Sequence, residues 1–150
     1  MEYSGINLKV EEKQSFDIIG DVHGQVRELT SLLKDLGYSD ETGVWRHPER
    51  KVIFLGDFID RGPFQREVVD IAKGMVDAGE ALAVMGNHEF NAIAFYTDRG
   101  DGTYLRKRNN KNVSQHRAFL DQFARDLNKE DPWGKAIAWF KTLPMWLDLG

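Results

Sequence analysis

The sequence predicts an α/β fold organised on a parallel sheet, and three observations carry that prediction. Three short apolar runs each end in a glycine followed by a carboxylate or carboxamide residue. Segments of helical period separate the runs. A glycine stands where each of the first two helices should stop.

The first run, Phe16 to Ile19, ends in Gly20-Asp21. Val26, Leu29, Leu32, Leu33 and Leu36 then recur at three- and four-residue steps, the spacing of one helix face, and Gly37 occupies a C-terminal cap position. The second run, Val52 to Leu55, ends in Gly56-Asp57 and leads to Val68, Val69, Ala72, Met75 and Val76 before Gly79. The third, Ala81 to Met85, ends in Gly86-Asn87 and opens into another helical segment. Uninterrupted apolar strands alternating with helices predict β-α-β-α-β with right-handed crossovers and a sheet covered on both faces. All three glycine pairs then leave the same carboxyl edge, where open α/β sheets place their ligands. Each glycine is expected to turn the backbone sharply and leave room for close approach.

Beyond residue 97 the pattern changes. The stretch from 97 to 112 is polar and loop-like, and it gathers Arg106, Lys107, Arg108 and Lys111 close after Arg99. Solvated loop is the default for such a cluster, with phosphate contact as the alternative. Ala118, Phe119, Phe123 and Leu127 mark a helix face, a second helix is predicted from about Trp133 to Lys141, and Met145 to Leu149 reads as a strand after Pro144.

Composition narrows the function classes. The 150 residues suit one domain, 41% of them are hydrophobic, and the net charge is −4, so no global basic field steers the chain onto nucleic acid. There is no cysteine, which removes disulfides, thiolate metal sites and cysteine nucleophiles and fits a reducing, cytoplasmic location. Residues 1–15 are charged throughout, and no stretch approaches the roughly 18 apolar residues of a membrane span, so no membrane partner is expected.

The side chains brought to the strand ends are Asp21 and His23, then Asp57, Asp60 and Arg61, then Asn87, His88 and Glu89. Carboxylate, imidazole and amide oxygen without thiolate form a ligand set suited to Mn²⁺, Fe or Zn²⁺. Asp21 and His23 alternate along an extended stretch and so point to one side. Asp57, from the middle strand, is placed to bridge two ions. Of the other histidines, His47 precedes Pro48 in a polar turn and His116 lies beside Arg117, and both read as surface residues. Trp133, Trp139 and Trp146 read as core.

G-D-V-H-G (20 to 24), G-D-F-I-D-R-G (56 to 62) and G-N-H-E (86 to 89), in that order with helix-length spacers, resemble the calcineurin-like metallophosphoesterases. The D-R-G element narrows the resemblance to the branch holding the serine/threonine phosphoprotein phosphatases and the bacterial diadenosine tetraphosphatases. It implies a metallophosphoesterase-type β-sandwich flanked by helices, of which this chain supplies the N-terminal β-α-β-α-β portion and a helical segment.

It also implies two divalent ions, Mn²⁺ foremost with Fe or Zn²⁺ as alternatives. Asp21, His23 and Asp57 are implied on one ion, and Asp57 with Asn87 on the other. His88 matches the general acid, Asp60 the carboxylate that orients it, and Arg61 a phosphate-binding residue, with water activated between the ions as nucleophile. Glu89 is expected to orient backbone or a neighbouring side chain.

The implied substrate is phosphorylated: a phosphomonoester or phosphoprotein in the first instance, a dinucleoside polyphosphate such as diadenosine tetraphosphate in the second. A protein-binding scaffold with a vestigial site is a further reading, but it expects eroded ligands and none of these is eroded. One deficit stands out, because two such ions want about five or six ligands each and the second has only Asp57 and Asn87. The family supplies further histidines from later strands. Residues 1–150 are therefore expected to be a domain incomplete at its C-terminus that alone binds metal weakly and turns over slowly.

Overall fold

The computed structural model describes residues 7–9, 11–124 and 131–150. Its order is β1 (Ser15–Ile19), α1 (Val26–Asp35), β2 (Arg50–Phe54), α2 (Gln65–Asp77), β3 (Ala81–Ala83), α3 (Asn87–Tyr96), α4 (Asn110–Gln122) and α5 (Pro132–Phe140). The three strands form one parallel sheet in the order β1-β2-β3. Register sets Ile18 beside Ile53 and Leu82, and Ile19 beside Phe54 and Ala83. All three strand ends thus reach the same edge, as the alternation of runs predicted.

The helices stop where glycine permits it. After α1, Gly37 has φ +91° and the Tyr38 amide reaches back to the Leu33 carbonyl; after α2, Gly79 has φ +76° and the Glu80 amide reaches the Met75 carbonyl. Only a residue without Cβ adopts that left-handed turn readily.

One apolar cluster joins Ile19, Val52 and Phe54 of the sheet to Leu33 of α1, Met75 of α2, Ala92 of α3, Phe119 of α4 and Phe140 of α5. Phe54, Phe58 and Phe140 are completely buried, and each contributes roughly 1.5–3 kcal/mol relative to exposure.

Every helix contributes to that cluster on one side of the sheet, whereas the other side is covered only in part, so the expectation of two covered faces holds fully for one face alone. On the opposite face Ile53 is buried outside the cluster, while its neighbour Ile18 is 67% exposed and Leu55 is exposed beyond it. An apolar run without alternation reports hydrophobicity on both faces and cannot report what covers them.

Two further expectations change. Met145 to Leu149 does not join the sheet; Asp148 makes a single parallel bridge to Leu8, with the Lys9 amide donating to the Asp148 carbonyl. Trp146 is exposed at 44%, whereas Trp139 is buried and Trp133 packs at the cluster's margin. A five-residue stretch has no partner strand written into it, so its pairing was not readable locally. The predicted Leu127 position lies outside the described residues. Among the described residues no helix is long and apolar enough to cross a membrane.

Candidate active site

The site is assembled by three loops leaving the sheet edge, and glycine is what lets two of them touch. Gly56 has φ +84°, and a Cβ there would fall 2.1 Å from the Gly86 nitrogen; a Cβ on Gly86 would fall 2.2 Å from Asp57 Oδ1. The second and third loops therefore pack backbone on backbone. Gly20 differs: a Cβ there meets nothing within 4 Å, so no close approach requires it.

Asp57 is the knot of the three loops. Its carbonyl accepts from the Val22 and His23 amides, at 3.1 and 2.9 Å. Its own amide donates to Glu89 Oε2 at 2.7 Å, and its Oδ1 accepts from the His88 amide at 2.9 Å.

Glu89, fully buried, also accepts from Phe58 N at 2.8 Å and from Gly86 N at 3.0 Å, so one carboxylate gathers three backbone donors. Burial raises this carboxyl above its ordinary value, with the amides of Asp57 and Phe58 opposing. The sequence reading of Glu89 as an organiser of backbone agrees with these bonds.

Among the described residues, the four non-glycine residues with left-handed backbone are His23 (φ 46°), Asp57 (φ 53°), Asp60 (φ 65°) and Arg61 (φ 70°). All four belong to the predicted site. Such conformations cost on the order of 1–3 kcal/mol each and persist only where surroundings over-determine them. Here Gln65 does part of that work. Buried at the start of α2, it accepts from the Asp60 amide at 3.0 Å and donates to the Gly62 carbonyl at 3.0 Å, pinning the turn. Sequence reasoning missed Gln65, since no motif marks a lone glutamine at a helix start.

His23 is buried, and its Nδ1 donates to the Ile59 carbonyl at 2.7 Å. That acceptor puts a hydrogen on Nδ1, so in the neutral ring Nε2 carries the lone pair; Nε2 is buried, has no hydrogen-bond partner and lies 3.5 Å from Asp21 Oδ2. Ligand atoms of His23, Asp57 and His88 lie within 4.8 Å of one another. A buried imidazole nitrogen without a hydrogen-bond partner beside carboxylate oxygens fits a divalent cation, as does a donor set of oxygen and imidazole. Asp21 stands at the outer rim with its side chain 65% exposed, and Asn87 is exposed at the first position of α3.

Beside this group, His88 Nδ1 lies 2.7 Å from Asp60 Oδ2. The other oxygen, Asp60 Oδ1, is 2.8 Å from His116 Nδ1. His116 is 5% exposed in the middle of α4, so the surface assignment is corrected. It stands three residues before Phe119 and seven before Phe123, on the buried helix face. That spacing was available in the sequence and was outweighed by the charged neighbour Arg117. Burial works to raise the Asp60 carboxyl, but the hydrogen bonds from His116 and then His88 outweigh it and hold the group below its ordinary value.

His47, by contrast, is half-buried and accepts the Glu49 and Arg50 amides in its turn, a local structural task.

A cavity of about 650 Å³ opens on the His88 side, between α3 and α4, lined by Arg61, Asn91, Arg106, Gln115 and Arg117 among others. The basic cluster divides here. Arg106 faces the cavity, held by Asn112 Oδ1 and Gln115 Oε1. Arg108 turns away to donate to the Phe95 carbonyl and to cover the Tyr104 ring, 3.3 Å from its centroid.

Comparisons with known proteins bear on the family and the fold. The model of the calcineurin-like phosphoesterase family matches residues 15–148. An asymmetrical bis(5'-nucleosyl)-tetraphosphatase PrpE of Geobacillus thermodenitrificans is 44% identical over 84 residues, which are 55% of this chain and 34% of that protein. The chain therefore spans about a third of the length of such curated relatives.

Among solved structures, a putative diadenosine tetraphosphatase superposes with a TM-score of 0.57 at 19% identity, covering 92% of this chain and 47% of the other, which bears on the fold alone. A cold-active protein-tyrosine phosphatase of a psychrophile Shewanella species superposes with a TM-score of 0.54 at 26% identity, covering 90% and 41%.

Proposed function

The chain belongs to the calcineurin-like phosphoesterase family, and from that membership we propose a metal-dependent hydrolase of phosphate esters and anhydrides. The observation that carries the reading is the junction of two clusters at one sheet edge: the His23–Asp57 group that fits a cation, and the His88–Asp60 pair with Arg61 beside it.

In this reading Asp21, His23 and Asp57 hold one divalent ion, and Asp57 with Asn87 contributes to a second. Mn²⁺ is the first choice and Fe or Zn²⁺ the alternatives, on the chemistry of the donor set. When bound, the ions supply Lewis-acid activation of water and neutralise charge on the phosphoryl oxygens.

The protein's own residues then do the rest. Arg61 offers a planar fork of donors to two phosphate oxygens. His88, its Nδ1 proton engaged by Asp60, presents Nε2 to protonate the leaving oxygen. The N-terminus of α3, where Asn87 and His88 stand, adds a favourable field for an anion.

His88→Asn tests the acid. The variant should lose about 10²–10³-fold with an alkyl phosphate and far less with p-nitrophenyl phosphate, whose leaving group needs no proton. Equal losses on both substrates would remove His88 from that role.

For the substrate, we favour a phosphorylated leaving group such as a nucleotide over a simple monoester. The cavity on the leaving-group side carries Arg106 and Arg117 in addition to Arg61, and the tetraphosphatase relatives match this chain in sequence. Phosphoprotein hydrolysis is the second reading, drawn from the phosphatase neighbour.

Arg106→Glu distinguishes them: KM for diadenosine tetraphosphate should rise about tenfold, equivalent to about 1.4 kcal/mol, while KM for p-nitrophenyl phosphate stays put. A KM unmoved for every phosphorylated substrate would return Arg106 to the solvated loop. A phosphate-release panel with Mn²⁺ restored after chelation compares monoester, phosphopeptide and dinucleotide directly.

A further inference from the structure

The strongest feature outside the assigned set is His116. A buried histidine that only fills a helix face is expected to satisfy itself on the nearest carbonyl. This one instead reaches the one carboxylate that also holds His88, and it does so from another helix. Asp60 lies between two imidazoles, Oδ1 at 2.8 Å from His116 Nδ1 and Oδ2 at 2.7 Å from His88 Nδ1. A carboxylate held at both oxygens cannot rotate, and the ring on its far side inherits that orientation.

The His116 ring is itself fixed. It stacks on Phe119, with centroids 4.5 Å apart and planes at 22°, and it packs against Phe95 at 5.3 Å. Its Nε2 is buried with no hydrogen-bond partner. A proton on Nε2 would be a buried donor without an acceptor, so the hydrogen belongs on Nδ1, where Asp60 accepts it. Asp60 therefore acts on both sides as acceptor only. The backbone supports the same reading, since Asp60 is left-handed at φ 65° and has its amide pinned by Gln65. Carboxylate and main chain are both held, by groups drawn from α2 and α4.

We propose that His116 is a positioning residue of the active site, which through Asp60 holds the His88 ring in the orientation needed to protonate the leaving group. The inference rests on the reading of His88 as the acid. His116 does not contact substrate; its effect passes through one hydrogen bond to Asp60 and one from Asp60 to His88.

The test compares His116→Phe, which keeps the stacked ring and loses the donor, with His116→Asn, whose amide nitrogen can replace Nδ1. In His116→Phe, kcat with an alkyl phosphate should fall about 10–100-fold at unchanged KM and metal content, with a smaller loss on p-nitrophenyl phosphate. His116→Asn should stay within about threefold of the parent. On a His88→Asn background, His116→Phe should add no further loss. Should His116→Phe fail to fold, His116→Met, an apolar side chain of adaptable shape, carries the same comparison.

A separate readout needs no turnover. By NMR on the metal-free protein, solvent exchange of the His88 Nδ1 proton should accelerate at least about tenfold in His116→Phe and not in His116→Asn. Equal losses on both substrates, additivity with His88→Asn, or unaltered exchange would each overturn the role. If the parent hydrolysed no phosphate at all, the functional reading would fall, and the exchange measurement would still decide whether His116 holds His88 through Asp60.

Discussion

Asp57→Asn is expected to lower phosphate-ester hydrolysis by about 10³-fold or more with every substrate, while leaving the fold intact. Asparagine is the same size and keeps an oxygen for the His88 amide, which Asp57 Oδ1 now accepts at 2.9 Å. The backbone bonds of residue 57 to Val22, His23 and Glu89 do not involve its side chain beyond the main-chain atoms and should survive. What disappears is the negative charge that the proposed site places between two cations. Plasma emission analysis should show metal loss in parallel with rate, and thermal unfolding of the metal-free variant should match the parent. A variant that kept a tenth of the parent's activity with full metal content would remove Asp57 from the bridging position.

Glu89→Ala should have the largest effect on stability. It leaves the buried amides of Asp57 and Phe58 and the half-buried amide of Gly86 without their acceptor. Each stranded donor costs about 1–3 kcal/mol, so a total near 3–5 kcal/mol is expected after local relaxation. In a chain of 150 residues that corresponds to roughly 6–20 °C in Tm, at about 2–4 °C per kcal/mol.

Glu89→Gln is the informative companion. Its single oxygen can serve some of the three donors, but its amide group then faces donors with a donor, so most of the loss should remain. A calorimetric Tm within 2 °C of the parent for both variants would show that the three loops are held by other means.

The sheet edge and the side chains gathered along it were legible because their signals are local. Runs ending in glycine place Asp21, Asp57 and Asn87 at three strand ends, and the helix spacing of Leu29, Leu33, Val68 and Met75 matches their burial. The pairing of His88 with Asp60, 28 residues apart, was reachable only through the family resemblance.

Other contacts left no such trace. The bond between His116 and Asp60 spans 56 residues, and the order in which α4 returns to the site is a tertiary fact. Gln65 acts through an amide on a turn five residues earlier, a job that no spacing announces. The exposure of Ile18 and Leu55 on the sheet's other side was misread for a different reason, since Val52-Ile53-Phe54-Leu55 states only that neither face is polar.

The four left-handed side chains at His23, Asp57, Asp60 and Arg61 bear on how such a protein can change over time. At each of these positions glycine would relieve the main chain and remove a side chain of the proposed site, so in that reading heat resistance and turnover pull in opposite directions. A lineage released from the demand for catalysis would drift toward glycine there first. One under that demand has to find its tolerance to heat elsewhere, in the packing of α1, α2 and α5 against the sheet.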